Sequence, residues 1–171
     1  MKLFQNRTGK IAYMGLLTAL ALIVSYVEFL IPIPIGIPGV KPGLANLVVV
    51  WALYTLRPGE ALLINMLRIF LSGFLFGNLS MILYSLAGAL VSFLCMYLVK
   101  RSGLLQVVGV SIAGGIMHNM GQLALAVLAL ETGSLVYYAP VLVLAGAVTG
   151  SVIGIVSREV LRRVPGQKTA S

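Results

Sequence analysis

The chain has 171 residues, of which 60% are hydrophobic and 9% are charged, and its formal net charge is +8. Twelve basic and four acidic residues are too few to give a water-soluble domain of this length a charged surface. The basic residues lie in short clusters between apolar segments and not along one phosphate-binding face, so we expect no nucleic acid partner. The composition predicts a single transmembrane domain over residues 1–171.

Residues 11–31 form the first predicted transmembrane helix, because about 20 apolar residues are needed to cross a hydrocarbon core. Three basic residues precede this segment, as in a signal peptide. Its apolar character continues through Tyr26 without a polar cleavage region, so we expect a retained helix. Four prolines within residues 31–43 then exclude a regular helix. Irregular apolar backbone at membrane depth must be buried in protein or line a cavity, so residues 32–43 are predicted to form a lid over the bundle.

Five further apolar segments complete a predicted bundle of six transmembrane helices. They cover residues 44–56, 61–76, 79–99, 104–130 and 135–156. With both termini in the cytoplasm, ten basic residues lie on the cytoplasmic side, Lys41 lies outside and Arg68 lies within a span. This asymmetry satisfies the positive-inside rule. The sequence therefore predicts an all-α, multi-pass membrane protein embedded in the lipid bilayer.

Small residues recur at four-residue spacing on two of these helices. Gly146, Gly150 and Gly154 lie on the last helix, and Gly15 and Ala19 lie on the first. Such spacing lets two helix backbones approach closely. It is explained either by packing within the bundle or by a docking face for another membrane subunit.

Several polar side chains occur within the apolar segments, where ionisable groups are costly and usually face the interior of a bundle or a substrate path. We expect them to converge on one polar cavity in the outer half of the bundle. An arginine there suits a carboxylate or a phosphate, because its fork of donors matches the oxygens of both groups. The predicted substrate-binding residues are Lys41, Asn46, Arg68, Asn78, His118, Asn119 and Gln122.

Structural explanations compete with the binding role of three of these residues. Arg68 could form an ion pair with Glu28, the embedded carboxylate. His118 could make a hydrogen bond between helices, and Asn46 could cap its helix.

The sequence also excludes several kinds of chemistry. Cys95 is the only cysteine and His118 the only histidine, so a zinc site of the usual His/Cys kind and an intrachain disulfide are excluded. The chain contains neither a G-x-x-x-x-G-K-[ST] phosphate loop nor any aspartate. It therefore lacks that route to ATP hydrolysis and has no Asp-rich motif for magnesium and a diphosphate. We expect no catalytic residue, no metal and no cofactor.

The motifs taken together resemble those of a bacterial family. They are P-G-V-K-P-G-L-A-N at residues 38–46, Arg68 with F-G-N at 76–78, and H-N-M-G-Q at 118–122. Over about residues 10–160 this combination resembles heptaprenyl diphosphate synthase component I, also labelled Gx transporter. That family in turn resembles the substrate-binding S components of energy-coupling factor transporters. S components have six helices, both termini inside and a ligand site near the outer face.

The resemblance implies a substrate-binding subunit of an uptake transporter in the bacterial cytoplasmic membrane. Its ligand would be a small anionic or amphipathic metabolite, and partner ATPases would supply the energy. In S components, small residues on the first helix dock a transmembrane coupling subunit, and Gly15 and Ala19 stand at that place as a Gly–Ala pair. The synthase label implies instead a non-catalytic accessory subunit of heptaprenyl diphosphate synthesis, for the menaquinone side chain, or of a membrane redox complex.

Overall fold

The computed structural model describes residues 7–30 and 43–163, which form six α-helices and one short 3₁₀ helix and contain no strand. The helices are α1 (Arg7–Leu30), α2 (Asn46–Thr55), α3 (Pro58–Phe76), α4 (Leu79–Ser102), α5 (Val107–Leu130) and α6 (Ala139–Arg163), with the 3₁₀ helix at Gly133–Tyr138. All except α2 are long and apolar enough to cross a membrane. The prediction of an all-α membrane fold is confirmed.

Helix α2 is short and lies inside the bundle. Its 10 residues span about 15 Å, half of a hydrocarbon core of about 30 Å. Val48, Val49 and Leu53 are at most 1% exposed, and they belong to the largest cluster of buried apolar side chains in the described residues. A helix that is apolar all round is stable only when other elements surround it. Helix α2 accordingly packs against α1, α3, α5 and α6.

Two polar contacts and one close backbone contact place several helix ends at the same end of the bundle. Lys10 near the start of α1 forms an ion pair with Glu60 near the start of α3. Lys100 near the end of α4 donates a hydrogen bond to the carbonyl of Leu53 near the end of α2, at 2.8 Å. Gly154 of α6 packs on α5 near the start of that helix. The N-terminus of α1 and the C-terminus of α6 therefore lie at the same end of the bundle. This end carries Lys10 and Lys100 and is called the basic end below. A common end for both termini is the arrangement expected from the positive-inside rule.

Helix α2 begins at Asn46, two residues later than predicted, and two further helices begin three or four residues later than their hydropathy predicts. The fifth predicted segment starts at residue 104, whereas α5 begins at Val107, because α4 extends to Ser102 and the chain must then turn. Gly103 makes that turn in the left-handed conformation, with φ of +69°. The sixth predicted segment starts at residue 135, but those residues form the 3₁₀ helix before α6.

The glycines of α6 bring its backbone against that of α5. A Cβ added at Gly146 would lie 2.6 Å from the carbonyl oxygen of Gly115, and one at Gly150 would lie 2.7 Å from the Cα of Ile112. Packing within the bundle therefore explains the small residues of α6. The pair on α1 is different, because Gly15 and Ala19 are exposed and a Cβ added at Gly15 would have no neighbour within 4 Å.

We expect Gly146→Ala to destabilise the protein by about 1–3 kcal/mol, since the new methyl group must push the two backbones apart. The matched substitution Gly15→Ala adds the same group to an open helix face and should leave stability unchanged or slightly higher. Thermal unfolding of the detergent-purified variants, followed by size-exclusion chromatography, measures both effects. Equal stability of the two variants would contradict the packing described for α5 and α6.

The orientation of the bundle can be tested with single cysteines in a Cys95→Ala background. Glu131 and Ser102 are both exposed and lie at opposite ends of the bundle. A membrane-impermeant thiol reagent should label Glu131→Cys in intact cells. It should label Ser102→Cys only after the cells are permeabilised. The reverse pattern would place the basic end outside.

Candidate functional site

A polar cavity lies among α1, α3, α4, α5 and the residues before α2, toward the end of the bundle opposite the basic end. The volume in which the centre of a water molecule fits is about 20 Å³, enough for one or two waters. Its titratable and polar lining consists of Ser25, Glu28, Arg68, Ser72, Ser85, His118 and Gln122.

Arg68 brings a guanidinium group into this cavity, and its side chain contacts three helices. The residue is 6% exposed. Its Nε donates to Oδ1 of Asn65, one turn earlier on α3, at 3.0 Å. Its two terminal nitrogens reach Ser25 Oγ and Asn46 Oδ1 at 3.5 Å each. These two contacts are at the long limit for a hydrogen bond. The two terminal nitrogens, which could bind an anion, therefore make only weak hydrogen bonds.

The expected ion pair between Arg68 and Glu28 is not formed directly. Within the described residues, no carboxylate oxygen lies within 4.0 Å of the Arg68 nitrogens. Oε1 of Glu28 instead accepts the backbone N–H groups of Gly43 and Leu44, the latter at 3.3 Å. The Glu28 carboxylate on α1 therefore holds the residues just before α2, Gly43 and Leu44, by hydrogen bonds.

Gly43 is required at this junction by its conformation and by its neighbours. Its φ is +79°, in the left-handed region that side chains with a Cβ rarely adopt. An added Cβ would lie 3.0 Å from Nδ2 of Asn46 and 3.3 Å from Cδ2 of His118. Asn46 does not cap α2, because Ala45 occupies the cap position and no side-chain cap is made. The side chain of Asn46 turns toward Arg68 instead.

His118 and Gln122 lie one turn apart on α5 and face the cavity. They are 3% and 1% exposed. Both amide atoms of Gln122 have no hydrogen-bond partner among the described residues. Nδ1 of His118 makes no hydrogen bond of good geometry, but the imidazole lies beside the backbone of Gly88, which interacts with it. Gly88 of α4 makes the close packing possible, since a Cβ there would lie 2.8 Å from the His118 carbonyl oxygen and 2.9 Å from Cγ of Gln122. Buried polar groups are normally paired, and leaving one unpaired costs about 1–3 kcal/mol.

The other predicted site residues lie elsewhere. Asn119 points to α6, where its Nδ2 donates to the carbonyl of Leu142 at 2.8 Å. Asn78 is exposed and caps α4 by accepting the N–H of Met81 at 2.9 Å. Lys41 and the rest of the predicted lid up to residue 42 lie outside the described residues. The structure thus brings Asn46, Arg68, His118 and Gln122 together, and it does not bring Asn78 or Asn119 to them.

Ser25, Ser72 and Ser85 line the cavity but were not predicted as site residues; Ser72 lies one turn after Arg68 on α3. Ser25 had a signal, because it precedes Glu28 by three residues and so shares its face of α1. Ser85 had none, since hydroxyls are common in transmembrane helices and no charged residue lies one turn away on α4. The described residues contain no group of three His, Cys, Asp or Glu side chains that could hold a metal ion. The arrangement suits recognition by hydrogen bonds and charge.

The chain matches the family model described as heptaprenyl diphosphate synthase component I over residues 17–160, most of its length. It therefore belongs to that family. No curated protein and no solved structure matches it.

Proposed function

We propose that this member of the heptaprenyl diphosphate synthase component I family is a membrane-embedded substrate-binding subunit of an uptake transporter. It captures a small metabolite with an acidic group from the outer side of the bacterial cytoplasmic membrane. Partner ATPases supply the energy, since the sequence contains no phosphate loop of its own.

The observation that carries this proposal is the set of buried polar groups without partners around one cavity. Gln122 offers a donor and an acceptor without partners, and the imidazole of His118 lines the same cavity. Arg68, on the same cavity, is held by one short and two long hydrogen bonds. A ligand that bonded these groups would recover the free energy that their burial costs.

The acidic group of the ligand binds Arg68. A guanidinium binds carboxylate or phosphate oxygens through parallel hydrogen bonds, and such charge-assisted bonds are about twice as strong as neutral ones. The site is small, so a ligand larger than one or two waters must displace part of the wall. An amphipathic ligand would place its polar head in the cavity, while its apolar part would contact the surrounding membrane helices.

We expect a binding ligand to raise the thermal unfolding temperature of the wild type and not that of Arg68→Gln. Removing the charge removes the group that recognises the acid. At 100 times its Kd a ligand stabilises the folded state by about 2.7 kcal/mol. A thermal-shift screen of metabolites on purified protein measures this effect.

Arg101→Gln is the matched control for that screen. It removes the same charge from an exposed position at the basic end, and it should respond to the ligand like the wild type. Ligand responses that persist in Arg68→Gln would contradict the assignment of this cavity as the binding site.

The exposed Gly15 and Ala19 on α1 are the proposed docking face for the transmembrane coupling subunit. Small residues permit close helix approach, and no described part of this chain uses the space at Gly15. The comparison with α6 supports this assignment, because there the small residues are already occupied by α5.

We expect Ala19→Leu to abolish copurification with a coexpressed coupling subunit and its ATPases. The bulky side chain would hold the two helices apart, while ligand-induced stabilisation of the isolated subunit should persist. Ala124→Leu makes the identical change on an exposed face of α5 and should copurify normally. Loss of copurification in both variants, or in neither, would count against docking through α1.

A second candidate is favoured by the description of the family itself. The family is described as a component of heptaprenyl diphosphate synthase. In this candidate function the chain is a non-catalytic accessory subunit, and a separate subunit performs the chemistry. Co-isolation with a prenyl synthase whose activity falls when this chain is removed would support that role. In that case the cavity residues would contact a partner or lipid head groups, and Arg68→Gln would affect assembly instead of ligand response.

A further inference from the structure

The cavity carries one group of each charge, and the two groups do not touch. Glu28 and Arg68 both line it, and each is 6% exposed. They are near enough to interact electrostatically. No nitrogen–oxygen distance within 4.0 Å joins them, on the evidence of the described residues. A guanidinium and a carboxylate thus face one small polar space from two different helices.

Each of the two charged groups has capacity left for a further partner. A carboxylate has about four acceptor sites on its two oxygens. The hydrogen bonds that Glu28 accepts from described residues all end on Oε1. The terminal nitrogens of Arg68 have only the two contacts at 3.5 Å. Opposite charges in a site shielded from water attract strongly, and their burial is costly unless both are paired.

We propose that the ligand of this cavity is a zwitterion, in which an acidic group binds Arg68 and a protonated amine binds Glu28. This inference rests on the proposed function and specifies its substrate class. A simple anion would bring its charge toward the Glu28 carboxylate and be repelled. A simple cation would be repelled by Arg68 in the same way. A molecule with both charges a few atoms apart satisfies both groups together and uses the amide of Gln122 for its remaining hydrogen bonds.

The test compares short amino acids with the acids that lack only the amine. The pairs are glycine and acetate, β-alanine and propionate, and γ-aminobutyrate and butyrate, which vary the distance between the charges. Binding is measured by thermal shift and by calorimetry on protein in dodecyl maltoside, a detergent without charge. For at least one pair, the amino acid should bind the wild type at least tenfold more tightly than its deaminated partner.

Glu28→Gln is the informative variant because it keeps the fold contacts and removes the charge. The amide oxygen of glutamine can still accept the N–H groups of Gly43 and Leu44. We expect the tenfold preference for the amine to disappear in Glu28→Gln. Neither class of compound should bind Arg68→Gln, and both should bind Arg101→Gln as they bind the wild type.

The outcomes separate this inference from the function on which it rests. Equal binding of the acid and the amino acid to the wild type, or an unchanged preference in Glu28→Gln, would overturn the zwitterion. So would a ligand from the broader metabolite screen that lacks an amine. In each of these cases the proposed function as a substrate-binding transporter subunit would still stand. If no compound in the panel or the screen stabilises the wild type, the proposed function itself fails.

The same charge pair occurs in a lipid head group such as phosphoethanolamine, so one further measurement distinguishes the two sources. Adding phosphatidylethanolamine to the micelles should leave amino acid binding unchanged if the ligand is a free metabolite. Competition that disappears in Glu28→Gln would assign the same zwitterion site to a lipid head group.

Discussion

The burial of a guanidinium inside an apolar bundle is the constraint around which the half of this protein that contains the cavity is built. Placing an arginine at the centre of a membrane helix costs about 2.5–3.5 kcal/mol on insertion scales. Arg68 is surrounded by oxygen atoms from three helices, contributed by Ser25, Asn46 and Asn65. The first three helices therefore converge on one charge. Helices α5 and α6 need no such group, because their glycines place backbone directly against backbone.

The two sides of the cavity are held by different kinds of interaction. His118 and Gln122 stand on α5, which is locked to α4 at Gly88 and to α6 at Gly115 by contacts that leave no room for a Cβ. The opposite wall is the junction before α2, held to Glu28 by two backbone N–H groups. Close-packed backbone resists displacement, whereas a pair of hydrogen bonds can be exchanged for others. The junction at Gly43 is therefore the wall that is held by the more easily exchanged contacts.

Much of the fold could be predicted from apolar segment length alone, because the bilayer imposes that length. The convergence of Arg68 with His118 and Gln122 could also be predicted, since polar groups embedded in lipid turn inward. The positions of Asn78 and Asn119 could not, because an asparagine serves equally as a helix cap, an interhelical donor or a ligand. Nor could the role of Glu28: sequence offers Arg68 as its partner, whereas the folded chain offers nearer backbone N–H groups.

The charge balance of the cavity also bears on the synthase name of the family. A diphosphate carries several negative charges, and proteins hold it with clustered cations or with metal ions on carboxylates. Among the described residues the cavity offers one guanidinium, and Glu28 largely cancels its charge. This balance of described charges is a poor environment for a polyanion. The described part of the cavity therefore lacks the cluster of cations by which proteins usually hold a diphosphate.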